Sequence, residues 1–198
     1  MQTLLSVLII ASLVSPRLFK GESAHSANSP PLGITDPPTT EFGQPSGRPE
    51  QKLLNQMIGS WDVDYAIYDD QGHVKHNLGT ATYRWILEGA AIQGVWTSNY
   101  RGRQAQPYGT TLEFFDAARN RWTAIWIYPE KGMYYSVSGG EAEGHIVLSG
   151  TDQDGLLQRW SNGEFRANSF VGRFDVSRDG GKTWRLVGIN QMHRHGDH

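Results

Sequence analysis

Ten short segments rich in β-branched and aromatic residues follow one another along the chain, and a turn-forming sequence separates each from the next. Consecutive hairpins predict an antiparallel meander, and closure of a meander into a barrel removes the exposed edge strands that promote aggregation. We therefore predict an all-β, up-and-down antiparallel barrel of about ten strands. The predicted strands are Trp61–Tyr68, Gly79–Leu87, Ala91–Tyr100, Tyr108–Phe115, Arg121–Tyr128, Met133–Ser138, His145–Gly150, Leu156–Trp160, Phe165–Val176 and Thr183–His193.

Composition limits the partners and the chemistry of this barrel. The 198 residues include 18 Lys and Arg against 20 Asp and Glu, so the net charge is −2. Such a balance excludes sequence-independent binding to nucleic acid, which needs many cationic contacts to phosphate. The chain has no cysteine, which excludes disulfides, thiolate nucleophiles and Cys-ligated zinc. Stability must therefore come from an ordinary packed core.

The chain divides into three parts. The apolar run Leu4–Val14 is too short to span a bilayer and matches the hydrophobic region of a secretory signal. We interpret residues 1–24 as a signal peptide, residues 25–48 as a proline-rich disordered linker and residues 49–198 as the barrel domain. A functional signal predicts a periplasmic or extracellular protein, and otherwise the protein is cytoplasmic. No integral membrane span is expected, and the oligomeric state stays open.

A resemblance to known proteins begins where the barrel domain begins. The segment PEQKLLNQMIG has apolar residues at helical spacing and ends at Gly59, which predicts a short amphipathic helix that leads into the first strand. Asn55, Gly59 and Trp61 in this context resemble the first signature of the lipocalins and their calycin relatives. The resemblance implies that the helix caps one barrel end and that Trp61 packs across it. It also implies that an arginine from the last strand, Arg185 or Arg194, covers Trp61.

A broader resemblance covers nearly the whole domain. The phrases YRWILEG from Tyr83, WTAIW from Trp122 and DGGKTW from Asp179 are similar to a bacterial family of lipocalin-like domains, which carries no established reaction. Residues 177–184 also fit the Asp-box pattern of sialidase-like propellers. A propeller needs several four-stranded blades, so we interpret this octapeptide as a structural hairpin turn. Asp179 would order the turn and Trp184 would pack.

Side-chain alternation indicates which residues face the barrel interior. An apolar interior with a few polar tips is typical of a ligand pocket, although the same rings can also simply fill a small barrel. We predict that the barrel binds a small apolar or amphipathic molecule. The candidate ligand-binding residues are Trp96, Tyr100, Phe114, Trp122, Trp126, Tyr134, His145 and Trp160.

Catalysis is the alternative function for the same barrel. An isomerase, cyclase or hydrolase would use Tyr, His and carboxylate groups inside it. Asp62 and Asp64 share a strand face, and His73 and His76 follow, but a polar outer face explains all four. The sequence has no Gly-x-Ser-x-Gly, phosphate-binding glycine loop or His-Glu-x-x-His motif. We therefore assign no catalytic residue.

Metal and cofactor sites are also not predicted. His193, His195 and His198 lie close together at the C-terminus, where a histidine-rich end is more often solvated than metal-bound. Nitrobindin-like ten-stranded barrels, which are calycin relatives, hold haem through one histidine near the C-terminal end, and His193 is the residue that this resemblance would place there. No other haem-pocket residue matches, so we expect neither a metal ion nor a cofactor.

Overall fold

The computed structural model describes residues 42–99 and 106–196, which form ten strands and three short 3-10 turns. Each strand pairs antiparallel with the next, and β1 pairs with β10, which closes the barrel. The predicted all-β, up-and-down barrel of ten strands is confirmed. The strands are β1 Gly59–Tyr68, β2 Val74–Ile86, β3 Ala91–Ser98, β4 Gln106–Asp116, β5 Arg121–Tyr128, β6 Met133–Ala142, β7 His145–Thr151, β8 Leu157–Arg166, β9 Ser169–Ser177 and β10 Arg185–Arg194.

The segment predicted as a capping helix forms two 3-10 turns, Pro49–Gln51 and Leu54–Met57, and no α-helix. Leu54 and Met57 are fully buried against the barrel end. A 3-10 turn has three residues per turn and therefore aligns these two side chains on one face. The carbonyl of Met57 accepts a hydrogen bond of 2.7 Å from Trp61 Nε1, which fastens the turn to β1. The segment caps the barrel end as expected, but in a tighter form.

The expected arginine cover on Trp61 is present, and Arg194 supplies it. The Arg194 guanidinium carbon lies 3.8 Å from the centre of the Trp61 ring, and Nη1 donates a 2.7 Å hydrogen bond to the carbonyl of Ile58. Gly59 has a φ of 125°, and a Cβ at this position would clash with the same guanidinium. Gly59, Trp61 and Arg194 therefore close this end of the barrel together.

One predicted turn is a β-bulge instead. The Asn162-Gly163 pair was expected to separate two strands, but β8 continues through it to Arg166, and the chain turns at residues 167–168. The β8–β9 register shifts between Gly163 and Arg166, and Glu164 has a φ of 55°. Gly163 is required here because a Cβ would collide with the His145 ring. The bulge keeps Asn162 within the strand, two residues after Trp160 and on the same face.

The Asp-box sequence forms the β9–β10 hairpin turn, as expected. The carboxylate of Asp179 accepts hydrogen bonds from the backbone N–H of Thr183 (2.9 Å) and from its hydroxyl (2.6 Å). These bonds hold the pKa of Asp179 down at about 2, because they stabilise the charged form. Trp184 packs beneath Arg159, whose guanidinium carbon is 4.3 Å from the ring centre.

The proposed signal peptide, residues 1–24, lies outside the described residues, and so does the linker as far as residue 41. The last linker residues lie along the capped end of the barrel. The carbonyl of Phe42 accepts a 2.7 Å hydrogen bond from the backbone N–H of Trp85, and Ser46 donates to the carbonyl of Gly89. Within residues 42–99 and 106–196, no helix is long and apolar enough to cross a membrane.

Candidate functional site

The barrel encloses a cavity of about 240 Å³ in the half opposite Trp61 and the 3-10 turns. Ile67, which is 47% exposed, belongs to its lining, so the cavity reaches the open rim of the barrel. The turns β1–β2, β5–β6, β7–β8 and β9–β10 lie at this rim. The lining residues are Tyr65, Ile67, Tyr83, Trp96, Tyr108, Thr111, Glu113, Trp126, Tyr135, Trp160, Asn162, Phe174, Val187, Gly188 and Asn190.

One wall of the cavity is a set of rings from β1 to β5. Trp96 lies at its centre, with ring centroids 5.6 Å from Tyr83, 6.3 Å from Tyr65 and 6.5 Å from Trp126. Tyr108 lies 5.9 Å from Trp126 and 6.4 Å from Tyr65. Several of these ring pairs are edge-to-face. This geometry contributes stability in addition to that of the buried apolar area. We call these five residues the first aromatic wall.

The second aromatic wall consists of Tyr135, Trp160 and Phe174, from β6, β8 and β9. Trp160 lies between the other two, with centroid separations of 5.7 Å to Tyr135 and 5.9 Å to Phe174. Asn162 follows Trp160 on the inner face because of the β8 bulge, and Asn190 of β10 is buried beside the same cavity. The two amides add hydrogen-bonding capacity to an otherwise apolar wall.

Glu113 of β4 is the one carboxyl group in the described part of the lining, and it is only 5% exposed. Burial raises its pKa to about 7, because the charged form loses water, and the neighbouring Thr111 hydroxyl opposes this rise by a smaller amount. No Lys, Arg or His belongs to the described lining. A buried carboxyl in an aromatic cavity, half ionised near neutral pH, is the kind of group that functional sites contain.

Trp96 Nε1 is a buried donor of the cavity lining that has no hydrogen-bond partner in the described structure. A buried unpaired donor costs about 1–3 kcal/mol, and native proteins rarely tolerate it without a reason. A molecule in the cavity with an acceptor atom could satisfy it.

The tyrosines around the cavity remain neutral at physiological pH. Burial raises the pKa of Tyr108 and of Tyr135 to about 12. It raises the pKa of Tyr83 well above its usual value, and the nearby Glu113 charge adds to this effect. The pKa of Tyr65 is raised as well, mainly by burial, and its hydroxyl donates a 2.8 Å hydrogen bond to the carbonyl of Thr97.

Of the eight candidate residues from the sequence, Trp96, Trp126 and Trp160 line the cavity. Trp122 faces inward and is buried, as alternation predicted, but it packs 5.5 Å from Phe115 and does not belong to the cavity lining. Tyr100 lies outside the described residues.

Three candidates do not face the interior. Tyr134 is 66% exposed, and its neighbour Tyr135 occupies the inner face in line with buried Val137. Phe114 alternates with buried Glu113, which places it on the outer face of β4. His145 alternates with buried Ile146 and covers Gly163 from outside. Their placement was wrong because side chains alternate between the two faces of a strand, and the face with the aromatic ring was taken as the inner one.

Sequence reasoning missed Glu113, Thr111, the two asparagines and all four tyrosines of the described lining. The outer set of β4 contains Leu112 and Phe114, and it is more apolar than the inner set of Thr111 and Glu113. A rule that puts the apolar set inside therefore selects the wrong face. Gly109 marks the inner face of β4, because a Cβ there would collide with the inward-facing ring of Trp126.

The described residues do not offer a metal or haem site. They contain no group of three or more His, Cys, Asp or Glu side chains that could hold a metal ion. His193 is exposed on the outer face of β10, in register with Asp62 of β1. It therefore does not reach the cavity, and no histidine belongs to the described lining. The residues present do not fit the haem ligation that nitrobindin-like barrels use.

Comparison with known proteins supports the fold. No family model and no curated protein match the sequence. The barrel is similar to the crystal structure of Rv2717c from M. tuberculosis, with a TM-score of 0.51 and 12% identity over 74% of this chain and 98% of that one.

Two further structures are more distantly similar. The S-type phycobiliprotein lyase CPES from Guillardia theta has a TM-score of 0.44 and 8% identity over 73% of this chain and 91% of that one. EF1p2_mFAP2b bound to DFHBI has a TM-score of 0.35 and 10% identity over 73% and 98%. The likeness to the Rv2717c structure supports the barrel fold.

Proposed function

We propose that this protein binds a small amphipathic molecule in the barrel cavity. The observation that carries the proposal is a cavity between two aromatic walls that also holds the unpaired N–H group of Trp96. Apolar bulk provides affinity, and a few polar groups fix the orientation of a ligand. A barrel whose rings served only as packing would have no cavity between its aromatic walls and no need to bury this donor unpaired.

The cavity volume limits the size of the ligand. About 240 Å³ holds about eight water molecules at roughly 30 Å³ each, and an apolar cavity of about 150 Å³ is known to hold benzene. Drug-sized ligands occupy pockets of about 300–1,000 Å³. Because the cavity is open at the rim, we expect the part of the ligand that lies inside to be a single ring with a short polar substituent.

Tryptophan fluorescence tests this proposal, because Trp96, Trp126 and Trp160 line the cavity. We expect single-ring compounds to change the emission in a saturable manner. The variant Trp160→Phe should lose part of the response, whereas Trp184→Phe should keep all of it, since Trp184 lies outside the cavity beneath Arg159. Equal losses in both variants, or no saturable response to any single-ring compound, would contradict the proposal.

Proton transfer by Glu113 is a second candidate function. It is supported by the pKa of about 7, since a general base works best when its pKa lies near the operating pH. The compound that co-purifies with the protein, identified by native mass spectrometry, would be incubated with wild type and with Glu113→Gln. Conversion by wild type alone, with binding retained in the variant, would favour catalysis over binding.

We also propose export, on the strength of the apolar run Leu4–Val14. N-terminal sequencing of the protein from its own host tests it. A mature chain that begins after residue 24 is expected, and an intact Met1 on the recovered chain would contradict it.

A further inference from the structure

We propose that the ligand is an organic cation, a protonated amine on a small apolar ring, and that its ammonium group pairs with Glu113. The inference rests on the proposed binding function and assigns a chemical class to the ligand. It comes from the charge pattern of the cavity, whose described lining provides one carboxyl group and no basic side chain between two aromatic walls.

The charge pattern of the lining is one-sided. Glu113 is 5% exposed, and the described lining contains no Lys, Arg or His that could neutralise it. A carboxylate taken out of water is costly unless a cation or several donors compensate it. A ligand ammonium would provide that compensation from inside the cavity. An anionic ligand would instead place two negative charges together in a site of low polarity.

The rings around Glu113 favour the same charge. Trp96, Trp126 and Tyr108 line the same cavity as Glu113. Aromatic ring faces are partly negative and attract ammonium groups that lie over them. Each such contact contributes about 0.5–2 kcal/mol, with the larger values in desolvated sites.

An ammonium group matches Glu113 in hydrogen bonding as well as in charge. The ionised carboxyl is a strong acceptor. An ammonium donates hydrogen bonds to it and neutralises its charge at the same time.

Binding of a cation should be coupled to proton release. At about pH 7 half of the Glu113 side chains carry a proton, which must leave before the ammonium can pair with the carboxylate. Every other titratable group in the described lining is a tyrosine, and the pKa of each is raised. These tyrosines are Tyr65 of β1, Tyr83 of β2, Tyr108 of β4 and Tyr135 of β6. Glu113 therefore dominates the pH dependence expected between about pH 6 and pH 8.

Three probes with the same ring test the inference: 2-phenylethylamine as the cation, propylbenzene as the neutral compound and 3-phenylpropanoate as the anion. Their affinities for the full chain would be measured by isothermal titration calorimetry at about pH 6, 7 and 8. The same titrations would be made with Glu113→Gln and with the matched control Glu164→Gln. Glu164 lies outside the cavity and pairs with Arg173 at 2.9 Å.

We expect wild type and the control to prefer the cation over propylbenzene by at least about tenfold at pH 8. Cation affinity should fall by about tenfold between pH 8 and pH 6, as Glu113 takes up its proton, while propylbenzene affinity stays constant. In Glu113→Gln the cation should bind no better than the neutral probe, because its ammonium would enter the cavity without a carboxylate to pair with. Retained propylbenzene binding shows that this variant is folded.

Two other outcomes overturn different parts of the argument. If propylbenzene binds and the cation shows no preference and no pH dependence, the cation inference is wrong and the binding function stands. The same holds if the anion binds best. If none of the three probes produces saturable heat, the proposed binding function fails together with the inference.

Discussion

Replacement of Glu113 by glutamine should stabilise the protein above neutral pH. Burial raises the pKa of this carboxyl from 4.5 to about 7, so the folded state holds a proton that the unfolded chain releases. Wild-type stability is therefore greatest below about pH 4.5, falls as the pH rises towards 7 and levels above it. Each tenfold change in proton affinity corresponds to about 1.4 kcal/mol, so the total loss is about 3 kcal/mol. Glutamine at position 113 does not titrate and avoids this loss.

Urea unfolding of wild type and Glu113→Gln across this range measures the effect. The difference in unfolding free energy, variant minus wild type, should grow by about 3 kcal/mol between about pH 4.5 and 7 and then stay constant. In the control Glu164→Gln the difference should stay nearly constant over the same range. The hydrogen bond from Arg173 lowers the pKa of Glu164, so this carboxylate titrates below the range that is measured. A difference for Glu113→Gln that does not vary with pH would refute the assignment of a buried carboxyl with a raised pKa.

Three further predictions concern the frame of the barrel. Arg194→Ala removes the guanidinium that covers Trp61 and the hydrogen bond to the carbonyl of Ile58. It should lower the unfolding free energy by about 1–3 kcal/mol in a urea titration. An unchanged midpoint would contradict the role of Arg194 in closing this end of the barrel. Gly139→Ala should cost about 1–3 kcal/mol by overpacking, because its Cβ would collide with a neighbouring carbonyl, whereas Gly140→Ala, with open space around it, should be near neutral. Asp179→Ala should lower the melting temperature without changing ligand affinity, since its bonds lie in the hairpin turn; a loss of affinity would tie this turn to the site.

The features that were predictable from the sequence are those that local patterns encode. Turn residues at regular spacing located most of the hairpins, and Gly59 with Trp61 at the start of the first strand indicated the capped end. The Asp-box turn followed from Asp179 and its neighbours, whose hydrogen bonds span only a few residues. These interactions are local, so their sequence patterns are specific.

The composition of the cavity was less predictable. The Asn162-Gly163 pair is a turn sequence that forms a bulge, because the His145 ring packs where a Cβ would otherwise be. The interior face of β4 was assigned from the apolar set, and the buried carboxyl of Glu113 was missed for that reason. Both results depend on contacts between strands, which no pattern within one strand records.

The order of strands and turns, the aromatic content and the capped end are properties of the sequence itself, since each depends on neighbouring residues and their backbone preferences. The tertiary structure determines which face of each strand is inside. Side chains alternate with a period of two, so a strand always offers two sets, and only closure of the barrel with its bulges selects one of them. That selection places Tyr135 rather than Tyr134 in the cavity, and Glu113 rather than Phe114. The core was expected to be aromatic, and the choice of face on β4 adds a buried carboxyl group, Glu113, to it.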